Sequence, residues 1–141
     1  MALTRSEFLE VALDWTAGAA EHLPDDPAVV QQRAEALMLA GQCGAALPLW
    51  RRSPPASNHS RAAALVLCET AAGENQFSPE AADEAAVSRE FVKWYQKLLQ
   101  FNARPTVETL NARIEALERT LPSAASVLAS ALAEAAEAVP S

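Results

Sequence analysis

The sequence predicts an all-α chain of stacked antiparallel helical hairpins, about seven helices in a single domain. Three observations carry this. Apolar residues recur at steps of three and four along nearly every segment, and β-branched and aromatic residues nowhere alternate with polar ones over a useful length. The nine prolines and four glycines fall mostly between Ala/Leu/Glu-rich stretches, where they act as breaks. Connections that short make consecutive helices antiparallel neighbours.

The first helix is expected from about Ser6, as N-cap, to about His22, with Phe8, Leu9, Ala12, Leu13, Trp15 and Ala19 on its inward side. Asp26-Pro27 caps and opens a second helix carrying Val30, Ala34, Leu37 and Met38, since a first-turn proline gives up only a donor that lacks a partner. Gly41 ends it. A short third helix spans Cys43 to about Arg52, with Ala46, Leu47, Leu49 and Trp50 apolar and Pro48 expected to kink or loosen its middle. The run SPPASN, Ser53 to Asn58, is a connector. A fourth helix starts near Asn58 or Ser60 and stops at Gly73, with Ala64, Leu65, Leu67 and Cys68 buried.

Ser78-Pro79-Glu80 reads as the start of a long helix from about Pro79 to Phe101. Its second half, FVKWYQKLLQF, concentrates Phe91, Trp94, Tyr95 and Phe101, with Phe77 just upstream. Phe91, Tyr95 and Leu98 share one face, as do Trp94, Leu98 and Phe101. Thr106 is expected to cap a sixth helix, in which Val107, Leu110, Ile114, Leu117 and Leu121 recur in a narrow coiled-coil-type seam. Two uses of that seam are open: packing on the long aromatic helix, favoured by the short Asn102–Pro105 turn, or pairing with a second copy as a homodimer. Beyond Pro122 a last helix runs from Ser123 with Val127, Leu128, Ala131 and Leu132 inward.

At 141 residues one domain suffices, comprising hairpins over about 6–73 and a long helix with a C-terminal hairpin over about 78–138. A net charge of -7 repels phosphate backbones and anionic lipid, so neither nucleic acid nor a membrane is expected as partner. Arg5, Glu7, Glu10 and Asp14 interrupt the apolar residues of the opening stretch MALTRSEFLEVALDW, which therefore does not read as a secretory signal, and the cytoplasm is the expected compartment. Cys43 and Cys68 lie 25 residues apart without CxxC spacing and are expected as two buried thiols.

One short stretch is more specific. In AEALMLAGQCGAALPLW, Gly41 is followed five residues on by Ala46 and four further by Trp50, with Ala34 and Leu37 upstream. A corner glycine, a small residue for close helix approach and an aromatic one turn later resemble the core of a tetratricopeptide repeat over about Asp25–Pro54, with HLPDDPAVV resembling the joint between repeats. The region from Phe91 to Ala138 matches no repeat unit and has a distant likeness to C-terminal caps of bacterial repeat proteins. The resemblance implies a scaffold without chemistry, whose groove binds an extended peptide or a partner helix. The basic carboxylate-clamp residues of that family have no counterparts here.

No catalytic or cofactor motif is legible. His22 and His59 lack further ligands at metal spacing, there is no GxSxG, HExxH or phosphate loop, and paired acids such as Asp83-Glu84 read as solvated. The sequence therefore predicts a non-enzymatic adaptor or assembly factor with no cofactor and no metal. Two surfaces are candidate partner sites: Gln31, Glu35, Met38 and Arg61 on the inner face of the first hairpins, and Lys93, Trp94 and Lys97 on a helix whose basic side, with Arg89 and Arg104, opposes the charge of the whole chain. The rival reading is a small-molecule or catalytic bundle with a pocket lined by Trp15, Trp50 and Trp94. A third is a subunit whose partner completes the helical stack.

Overall fold

A computed structural model describes residues 4–52, 58–101 and 103–138. Among them every regular element is helical: α1 (Arg5–His22), α2 (Pro27–Leu39), α3 (Cys43–Arg52), α4 (His59–Ala72), α5 (Glu84–Gln100), α6 (Arg104–Ala112), α7 (Ile114–Thr120) and α8 (Pro122–Ala138), with one 3-10 turn at Ala81–Asp83. The all-α class is thus observed, with eight α-helices where about seven were expected. Each helix from α1 to α5 packs on its sequence neighbour, α8 returns to lie against α5 and α7, and α6 and α7 reach α4.

The central rod is α4. It is buried without interruption from Ala62 to Thr70, as a helix enclosed on every side must be. Asn58 caps it, its side-chain oxygen accepting from the Arg61 N–H at 3.1 Å, and Gly73 ends it at φ 78°. The same left-handed device operates at Gly41, φ 82°, between α2 and α3. Asp26 opens α2 by accepting from the N–H groups of Ala28 and Val29. Ala34 and Ala46 have no exposed surface, which lets α2 and α3 approach closely, and Trp50 is 2% exposed. Its ring meets Trp94 edge-on at 6.1 Å. Cys43 and Cys68 are free and buried, as expected. Interaction with the neighbouring Cys43 side chain and deep burial push the Cys68 thiol up, and the same interaction pulls Cys43 down.

Several boundaries differ from the sequence reading, each for a local reason. Thr4, not Ser6, caps α1, because only Thr4 has a glutamate three residues on to complete a reciprocal capping box. α3 runs through Pro48, which is exposed, as is Gly44 four residues earlier, so the carbonyl that loses its helical donor can turn to water. α5 begins at Glu84 rather than Pro79, the 3-10 turn at Ala81–Asp83 standing just before it. Glu84 instead serves another helix: its carboxylate accepts from the Ser123 N–H at 2.7 Å and hydroxyl at 2.8 Å, capping the first turn of α8.

Thr106 does not cap the sixth helix. It lies inside α6, buried, with its hydroxyl directed to the Gly41 carbonyl at 3.5 Å. The expected single helix is two, broken at Arg113, where the backbone leaves the α region (φ −110°, ψ 24°). The break redirects the seam inward. Leu110, Leu117 and Leu121 have no exposed surface, Val107 is buried and Ile114 is packed against the core. The seam is thus packed internally, the use favoured by the short turn before it, and the alternative, a homodimer through Val107, Leu110, Ile114, Leu117 and Leu121, is left without an exposed apolar stripe at these positions. In α8 the inward residues are Ala124, Ala125 and Leu128, while Val127 and Ala131 face out. The Leu132 side chain lies outside the described residues, as do Asn102 and the connector positions 53–57.

Candidate partner-binding groove

The capping box at the start of α1 holds its first turn. The Thr4 hydroxyl accepts from the Glu7 N–H at 3.1 Å and the Glu7 carboxylate from the Thr4 N–H at 3.2 Å. α2 is clamped alongside by Arg33, whose guanidinium donates to the Leu13 carbonyl at 2.8 Å and to the Thr16 hydroxyl at 3.3 Å. Those contacts use the side of α1 that carries Leu9 and Thr16, both buried, and Leu13, half-buried. Phe8, Val11 and Trp15, at i, i+3 and i+7, form a second stripe that is more than half exposed among the described residues, at 53%, 56% and 62%. The Phe8 ring touches only the edge of the fold, 6.4 Å from Phe101 at the end of α5.

Between α1 and α2 this stripe overhangs a groove of about 390 Å³. Leu9, Ala36 and Leu39 line its depth, and Gln32 and Glu35 its α2 wall. Glu35 is the one charged lining residue among the described ones. Across the groove, exposed Glu7 and Asp14 stand four residues before and three after Val11, hence beside it on the surface of α1. The result is an apolar trough with carboxylates on both rims.

The sequence-predicted site residues are dispersed. Only Glu35 lies in the groove. Gln31 and Arg61 are bound to each other, the guanidinium Nε donating to Gln31 Oε1 at 3.1 Å, which bridges α2 and α4 rather than presenting either to a ligand. Met38 has no exposed surface, so its expected place on a binding face is corrected: it faces the core from α2. Trp94 is likewise a core residue, 6% exposed, with its indole N–H donating to the Ser60 carbonyl at 2.9 Å. Lys97 lies over the Trp94 ring at 4.7 Å, and Lys93 pairs with Glu90 at 3.3 Å. Lys93 and Arg89 also border a shallow apolar depression between α5 and α8, with Val92 and Val127.

Phe8 and Trp15, expected on the inward side of the first helix, are instead exposed together with Val11, because α1 carries two apolar stripes and only one of them meets α2. The signal was present: Leu9, Leu13 and Thr16 already form a full stripe, so Phe8, Val11 and Trp15 at their own three-four spacing make a second one. A pocket shared by the three tryptophans does not form. Trp50 and Trp94 meet edge-on in the core while Trp15 projects from α1. The Arg51, Glu69 and Glu74 cluster is structural, for Glu69 also accepts from the Phe77 N–H at 2.8 Å and ties down the loop after α4. Among the described residues no helix is long and apolar enough to cross a membrane, and no three His, Cys, Asp or Glu side chains gather as metal ligands.

With this geometry in hand, comparison with known proteins places no relative beside it. No family model, curated protein or solved structure matches the chain.

Proposed function

We propose that the chain is a non-enzymatic recognition scaffold, an adaptor or assembly factor, which receives a helix of a partner protein in the α1–α2 groove. One observation carries the reading: a stripe of two aromatic rings and a valine, more than half exposed, along an apolar trough. Isolated apolar residues on a surface are ordinary, whereas a contiguous stripe beside a groove costs solubility and persists where a partner covers it. The i, i+3, i+7 spacing is that of helix-in-groove recognition, and tryptophan at its exposed end has the large flat area typical of interface anchors. The Gly41, Ala46, Trp50 packing supports the tetratricopeptide-like part of the reading, helical hairpins used as a platform rather than as a vessel for chemistry. A reducing cytoplasmic setting suits two adjacent free thiols.

Affinity capture from native lysate tests this, using the wild-type chain beside Trp15→Ser and Lys97→Ser. A protein retained by wild type and Lys97→Ser but lost with Trp15→Ser is the expected result. Identical recovery with all three chains refutes the groove as the binding site.

A further inference from the structure

Resting on that reading, we infer that the occupant of the α1–α2 groove is a cationic amphipathic helix, apolar on one face and flanked by lysine or arginine on both sides. The argument is charge complementarity. Among the described residues the trough is lined by no cation, Glu35 being the one charged side chain in it, and its opposite rim is held by Glu7 and Asp14. Arg33, the nearest cation on α2, is occupied by the Leu13 carbonyl and the Thr16 hydroxyl. A helix laid in the trough would thus place its apolar stripe on Phe8, Val11 and Trp15 and its two shoulders against carboxylates. From Phe8 to Thr16 the trough runs on the order of 12 Å, so two to three turns of partner helix fill it.

A second copy of this chain is a poor occupant. Two α1 stripes facing one another across a two-fold axis would bring Glu7 and Asp14 against their own counterparts, with each chain carrying -7 overall. A cationic helix, by contrast, is attracted by the field of the whole molecule and seated by the local rims.

Three tryptophan-free 18-residue peptides with the same leucine stripe test this: one with lysine flanks, one with glutamine and one with glutamate. Because Trp50 and Trp94 are already buried, a blue shift of the protein's emission on titration reports Trp15. The lysine peptide should bind at least tenfold more tightly than the glutamine peptide at low salt, the glutamate peptide should not bind, and the advantage should fade near 1 M salt as the screening length drops to about 3 Å. The double variant Asp14→Asn/Glu35→Gln, with its helical circular dichroism unchanged, should cut the advantage of the lysine peptide over the glutamine one severalfold, Glu7 alone remaining on the rims. Equal binding of lysine and glutamine peptides overturns the charge inference while leaving the groove reading intact. Undiminished lysine-peptide binding by the double variant overturns it as well, by assigning the attraction to net charge alone. If no peptide moves the emission, or if Trp15 is buried by concentration-dependent dimerisation, the groove reading falls with it.

Discussion

Trp50 is the residue whose removal should most clearly reveal how the hairpins are held together. It is 2% exposed at the α2–α3 hairpin, and its ring meets Trp94 edge-on. Trp50→Ala deletes the largest side chain of that contact and should cost about 3–5 kcal/mol, including an aromatic pair of about 1 kcal/mol. Against a total stability of about 5–15 kcal/mol this is a large share. With a urea slope of about 2 kcal/mol/M the midpoint should fall by about 2 M, the slope itself remaining unchanged. Trp50→Phe separates packing from polarity. The indole N–H makes no hydrogen bond, although it lies near enough to Cys68 to favour that residue's thiolate. A buried donor without a partner costs about 1–3 kcal/mol, so phenylalanine removes a penalty as it opens a small void, and the net change should stay within about 1 kcal/mol. Urea titration followed by circular dichroism at 222 nm measures both variants. If Trp50→Phe proves as damaging as Trp50→Ala, the donor has a partner in solution and the reasoning fails. If Trp50→Ala costs under 1 kcal/mol, the hairpin does not hinge on this side chain.

Three further outcomes are expected from the same titrations. Gly73→Ala should destabilise by about 1–2 kcal/mol because of the left-handed backbone and a new methyl group against the Arg113 guanidinium, whereas Gly44→Ala, exposed in α3 with open space around it, should stabilise by about 0.5–1 kcal/mol; opposite signs in the two midpoint shifts are the check. Glu69→Ala strips the Phe77 N–H and Arg51 of a shared, nearly buried carboxylate and should cost about 2 kcal/mol, while Asp25→Ala, whose ion pair with Arg52 is on the open surface, should be nearly silent. Glu84 is held below the ordinary glutamate range, chiefly by the Ser123 backbone N–H. A carboxylate depressed on folding adds stability above its unfolded value and loses it as pH falls through the folded one, so Glu84→Ala should cost up to about 1 kcal/mol at pH 7, discounted for its solvent contact, and progressively less below the ordinary carboxylate range.

Legibility followed the range of the physics involved. Asp26-Pro27, Gly41 and Gly73 act on their own backbone neighbours, and each marks its helix end where the sequence places it. The Thr4–Glu7 box is equally local and was within reach of the same reasoning. Glu84 was not, because its partners on α8 lie 39 residues away and no short-range pattern connects them. Arg113 carries no glycine or proline, so the break between α6 and α7 has no composition signal; it is visible only where Leu117 and Leu121 turn into the core. For the candidate site, Glu35 lies in the α1–α2 groove apart from the Gln31, Met38 and Arg61 with which it was grouped, and Met38 and Trp94 show how periodicity finds an apolar stripe without saying whether another helix already covers it.

By itself the sequence determined the helical class, most of the helix ends and the identity of the small residues at the α2–α3 hairpin, because these depend on backbone preferences and on a 3.6-residue period that acts within a few residues. Which apolar stripe would be enclosed was decided only when the helices packed. α4 and the paired tryptophans were surrounded, the seam from Val107 to Leu121 was settled as internal packing, and Phe8, Val11 and Trp15 were left exposed beside their groove, since burial is a property of neighbours brought from far along the chain and not of any one helix.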